Sequence, residues 1–103
     1  MAESDPSLAL AGLRIELEKH LFGLANAHGY EGRGRGIGNL LRHLQSRGLL
    51  TPDESAAIRD IVVILNEAVH GASIEKPAAD LALDFGTDVL LTLDARIAGT
   101  APR

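Results

Sequence analysis

Leu10, Leu13, Leu17, Leu21 and Leu24 recur at spacings of three and four along DPSLALAGLRIELEKHLFGLANAHG. That spacing places all five on one face of an α-helix, and a chain with such a stripe must find apolar partners to cover it. The stripe predicts a helix over 6–28. The segment GYEGRGRGIGN that follows carries too many glycines for a helix and no alternation for a strand, so it reads as a loop.

The remainder is helical by the same reasoning. IGNLLRHLQSRG turns Leu40, Leu41 and Leu44 inward and stops at Gly48, which predicts a short helix over 37–47. TPDE is a helix start. Thr51 caps free amides, Pro52 stands where its missing N–H costs nothing, and Glu54 reaches back to the Thr51 amide. From there Ile58, Ile61, Val62, Leu65 and Val69 form the inward stripe of a helix over 52–70, closed by Gly71. A last helix over 76–98 opens at Pro77 and repeats Ala78, Leu81, Ala82, Phe85, Val89 and Arg96, with Gly86 weakening it by about 1 kcal/mol relative to alanine.

Four amphipathic helices with short connections predict an all-α, antiparallel four-helix bundle in a single domain over 1–103, with unanchored ends at 1–5 and 99–103. The apolar faces are wider than one core needs. Ile15 and Phe22, Val63 and Ile64, and Leu83, Leu90 and Ile97 form second strips. Apolar strips of that extent mark an interface, and a homodimer is the expected partner arrangement.

Charge and composition narrow the function classes. Ten Lys and Arg against fourteen Asp and Glu give a formal net charge of -4, which opposes coating of nucleic acid by electrostatics alone. Arg33, Arg35, Arg42 and Arg47 nevertheless fall close together and are the candidate phosphate or RNA patch, weighed against a plain solvated face. The absence of cysteine rules out a disulfide framework, a thiol nucleophile and a cysteine zinc site. No run approaches the roughly 18 consecutive apolar residues of a membrane span, and MAESDPSLAL carries acids where a signal peptide needs a basic end. A cytoplasmic setting without membrane insertion is expected.

IVVILNEAVHGA sets Asn66 and His70 one helical turn apart, either as a candidate reactive pair or as the polar edge of a helix end, where they would satisfy nearby polar groups and the dipole. Arg59 lies on the same line but roughly 16 Å further along the axis, too far to act on the same atom. Glu67 and His70 echo half of a ferritin-like metal site, and Glu16 with His20 has a different spacing, so no metal site is expected. GRGRGIG lacks the lysine and the strand of a phosphate-binding loop, and Ser55 has no readable base and acid partners. No cofactor is expected.

DPSLALAGLRIELEKHL and LLRHLQSRGLLTPDESAAIRDIVVILNEAVHGA resemble small helical bacterial domains of the HEPN type (higher eukaryotes and prokaryotes nucleotide-binding), particularly those ending their third helix in RN-x-x-x-HG. The similarity runs over about residues 5–97. It implies a bundle that dimerises, often with a ribonuclease site built from an arginine, the polar residue after it, and a histidine about a turn later. The matching positions here are Leu65, Asn66, His70 and Gly71, so leucine replaces the arginine that would hold phosphate and stabilise developing charge. The expectation is therefore a non-catalytic, HEPN-like association or binding module that pairs with itself or another protein. The alternatives are a metal-independent ribonuclease using Asn66 and His70, or an RNA-binding module without chemistry.

Overall fold

A computed structural model describes residues 6–30, 36–71 and 73–100. They form four helices and no strand: α1 Pro6–Ala27, α2 Ile37–Ser46, α3 Pro52–Val69 and α4 Lys76–Thr100. These bounds fall within two residues of the sequence expectation at every end. The ends expected to be unanchored lie outside the described residues, apart from 99 and 100, which are helical.

Three helices end or begin through the local chemistry their sequences carry. Gly29 and Gly48 adopt positive φ, and the N–H groups of Tyr30 and Leu49 then donate to the carbonyls of Ala25 and Leu44 at 3.0 and 2.9 Å. Both are glycine-closed helix ends with an apolar residue folded back after the glycine. At α3 the capping box is complete. The Glu54 N–H donates to Thr51 Oγ1 at 3.0 Å, and the Thr51 N–H donates to Glu54 Oε1 at 2.9 Å.

Pairings between helices fix their directions. Leu13 meets Gly86, His20 meets Asp94 and Gly23 meets Ile97, so α1 and α4 lie side by side and point the same way. Arg14 meets Asn66 and Glu54 meets Arg96, so α3 runs opposite to both. The ten-residue α2 is about 15 Å long and packs against α1 and α3 without traversing the bundle, which is why α4 returns parallel to α1.

The core is the α1 leucine seam with its partners. Leu10, Leu17, Leu21 and Leu24 are shut off from solvent together with Leu40, Leu41, Leu44, Ile58, Leu65, Ala82 and Leu93. Two inward assignments fail. Val69 is half exposed in the last turn of α3, and Leu81 is 70% exposed. On α4 the smallest residues face inward instead, with Ala79, Ala82 and Gly86 buried. Close approach to α1 explains this choice: a Cβ on Gly86 would fall 3.0 Å from Leu13 Cδ1 and nearer still to Cδ2. The glycine that costs helix propensity is the residue that lets α1 and α4 close up.

The second apolar strips divide. Phe22, Ile64, Leu83, Leu90 and Ile97 pack against the core within this one chain, whereas Ile15 and Val63 remain exposed. No helix among the described residues is long and apolar enough to cross a membrane.

Gly86→Val should therefore destabilise the fold by about 1–3 kcal/mol through overpacking against Leu13. Urea unfolding followed by circular dichroism measures this, and an unchanged midpoint would mean that α1 and α4 can separate freely at this crossing.

Candidate functional site

The motif-like positions of α3 separate onto different surfaces. Leu65 is fully buried in the core, so its side chain is turned away from solvent. Asn66, one residue on, faces α1, where its Oδ1 accepts a 2.7 Å hydrogen bond from Arg14 Nε. An arginine does stand beside Asn66, supplied by the facing helix. Arg14 Nη1 also lies 3.6 Å from Glu18, which offsets much of its charge.

His70 closes α3. Its backbone N–H donates to the Asn66 carbonyl at 3.0 Å, and the chain then turns through Gly71 at φ 88°. The imidazole itself is exposed and makes no hydrogen bond among the described residues. Among the described residues its side chain therefore satisfies no polar group at the helix end.

The arginine patch is resolved in part. Arg42 is exposed on α2 and Arg47 is exposed just after it, whereas Arg33 and Arg35 lie outside the described residues. His43, between them in sequence, turns inward, and its ring sits 4.4 Å from that of Tyr30. Arg59 is exposed on α3.

Two polar ties hold the long helices in register. Glu54 accepts from both terminal nitrogens of Arg96 at 2.8 and 2.6 Å, while Arg96 Nη1 also donates to the Leu49 carbonyl at 2.9 Å. The hydrogen bonds from Arg96 hold the Glu54 carboxyl down at about 2, against the opposing effect of burial and with help from Thr51. His20 bridges α1 and α4, with Nδ1 2.7 Å from the Glu16 carbonyl and Nε2 3.0 Å from Asp94. Among the described residues no three His, Asp or Glu side chains gather as metal ligands.

Sequence reasoning placed Arg96 on the apolar stripe and missed its pairing with Glu54. The available signal was a single cation on an otherwise apolar face. It missed a second feature entirely. Between α3 and α4 lies a cleft of about 160 Å³ lined by Leu50, Glu54, Ile58, Phe85, Asp88, Val89, Thr92 and Leu93. Nothing in one helix's periodicity announces a cleft, because it arises from the distance between two helices. No family model, curated protein or solved structure matches this chain.

Two expectations follow. A carboxylate held below its unfolded value stabilises the fold above that value and loses its effect as protons are added. The Glu54 contribution should thus be complete above its ordinary 4.5 and vanish as pH falls toward about 2. At neutral pH Glu54→Gln should cost about 1–2 kcal/mol once the screening at a one-third exposed pair is allowed for, and the gap to wild type should close on acidification. A gap that persists in acid would show that the ion pair is not its source. Separately, Asn66→Ala should cost about 1–2 kcal/mol by leaving the part-buried Arg14 unpaired on one side, while His70→Ala should stay within about 0.5 kcal/mol. Thermal melts of the two variants, run side by side, distinguish these roles.

Proposed function

We propose that this chain is a non-catalytic, HEPN-like helical association module that pairs with a second copy of itself. The observation that carries this reading is the outer face of α1. Leu8 and Ile15 stand seven residues apart, directly opposite the leucine seam, at 72% and 57% exposure. Gly12 lies between them, with open space where a side chain would be. Two large apolar residues flanking a glycine form a strip against which another helix can lie closely, and such a strip gains by leaving water. Val63 on the outer face of α3 adds to the apolar surface. Within this reading the setting is the cytoplasm.

RNA cleavage is the second reading, favoured by one observation. The Arg14–Asn66 hydrogen bond brings a guanidinium from α1 to the residue one turn before His70, which is the kind of cation that Leu65 cannot supply. Glu18 opposes it by sharing that guanidinium, and among the described residues nothing holds His70 for proton transfer. Arg42 and Arg47 keep weak, salt-sensitive RNA binding open as a non-catalytic variant of this reading.

Sedimentation at micromolar concentration should return twice the 10.9 kDa chain mass, with Ile15→Glu shifting the protein to monomer. The interface should bury at least about 1,000 Å² in total. A wild-type monomer would sink the dimer. Labelled RNA incubated with wild type, Arg14→Ala and His70→Ala should stay intact in all three, and cleavage by wild type that both variants lose would establish the second reading in its place.

A further inference from the structure

The far end of α4 is fastened on two sides by residues two positions apart. Toward α3, Arg96 holds Glu54 and the Leu49 carbonyl. Toward α1, Asp94 meets His20, and Ile97 lies against Gly23 a turn further on. The two ties differ in how their charge responds to pH. A guanidinium stays protonated throughout the range in which proteins work, and Glu54 gives up its charge only as pH falls toward about 2. An imidazole, by contrast, exchanges a proton between about pH 5 and 8.

The partners of His20 decide which form of its ring fits. Nδ1 lies 2.7 Å from the backbone carbonyl of Glu16, an oxygen that can only accept. Nε2 lies 3.0 Å from Oδ1 of Asp94, and an ionised carboxylate also only accepts. For both contacts to be hydrogen bonds each nitrogen must carry a proton, and a ring with two N–H groups is the imidazolium. The neutral ring has one proton to offer. With that proton on Nδ1 it turns a lone pair to the Asp94 carboxylate, and with it on Nε2 it turns a lone pair to the carbonyl. The other charges nearby are accounted for. On α1, Glu16 Oε1 stands 4.0 Å from Nδ1, and Lys19 is drawn to the second oxygen of that carboxylate at 3.7 Å. On α4, Asp94 faces the ring and Arg96 is turned to Glu54. Among the described residues no acid of α2 or α3 comes within 4.0 Å of the ring.

We propose that His20 is a proton-operated latch between α1 and α4, closed while its imidazole is charged and released when the ring gives up its second proton. The stability the latch contributes is complete in mildly acidic solution and is lost as pH rises through the titration of the ring. The Arg96 tie does not change over that range, so release acts on one flank alone: the last turns of α4 stay fixed to α3 and loosen toward α1. The His20 side chain is 20% exposed and that of Asp94 62%, so solvent screens the contact from the Asp94 side and its effect is modest. The latch goes beyond the self-association reading and does not depend on it.

The test uses the full chain, with thermal melts followed by circular dichroism at one protein concentration in mildly acidic and mildly alkaline buffer. His20→Gln puts a side chain that does not titrate at the same place. Wild type should melt about 2–4 °C above His20→Gln at about pH 5.5, and the difference should disappear at about pH 8.5. Asp94→Asn supplies the second arm. An amide offers its oxygen to the charged ring and its N–H to the neutral one, so in an Asp94→Asn background the effect of His20→Gln should be the same at both pH values. Every titrating group other than His20 is shared by the two proteins in each comparison and cancels. The proposal is overturned if the difference between wild type and His20→Gln is equal at the two pH values, which would make the ring a packing element, or if it grows as pH rises. It is also overturned if the difference still disappears in the Asp94→Asn background, since the proton would then act through a partner other than Asp94.

Discussion

The crossing of Leu13 over Gly86 is the constraint around which this bundle is arranged. With no side chain on Gly86 and with Ala79 and Ala82 beside it on the inward face, α4 lies close along α1, and the leucine seam is covered over its length. The closeness of one pair limits the others. α3 takes the remaining flank of α1, α2 covers only part of that junction, and α3 and α4 meet less closely, leaving the apolar cleft between them. A larger residue in place of Gly86 would push α4 outward and change the separation on which the cleft depends.

Polar ties at the edge of the bundle set its register. Apart from Ser55, the buried set among the described residues is apolar, and apolar packing alone tolerates sliding of one helix along another. Arg96 removes that freedom by joining the start of α3, the Leu49 carbonyl and the end of α4 through three hydrogen bonds. Exposed ion pairs contribute little to stability, but a two-pronged arginine pair that also holds a backbone carbonyl is geometrically demanding. Glu54 thereby serves two structures, closing the capping box of its own helix and anchoring another. His20 makes a comparable link between α1 and α4.

The same packing separates the residues with chemical potential. Because Ile58, Ile61 and Leu65 define the inward stripe of α3, Asn66 falls on the flank toward α1 and His70 falls beyond the core in solvent. Arg14 reaches Asn66 from a helix 52 positions away in sequence, and Glu18 shares it. The arrangement orients an amide and a guanidinium while leaving the imidazole unsupported. What is left exposed is an apolar strip on α1 and a largely apolar cleft between α3 and α4.

Much of the architecture was legible in one dimension. The leucine spacing, the TPDE start and the glycine stops mark the first three helices, and Pro77 with the apolar repeat after it marks the fourth, since capping, left-handed turns and one-sided burial are local or periodic properties of a chain. That Leu65 is an uncharged member of the inward stripe of α3 was equally visible. Other features belong to distances between helices and have no local trace. Leu81 lost its inward place to smaller residues because closeness to α1 was worth more than its own burial. Phe22, Ile64, Leu90 and Ile97 looked like spare apolar surface and were taken up within the single chain. Arg96 turned from a member of a stripe into the partner of Glu54, Arg14 met Asn66, and the cleft opened where two helices failed to close. The sequence by itself determined which segments are helical and which face each must hide. Tertiary packing alone decided how near the helices come, because that depends on the summed shapes of side chains distant in the chain.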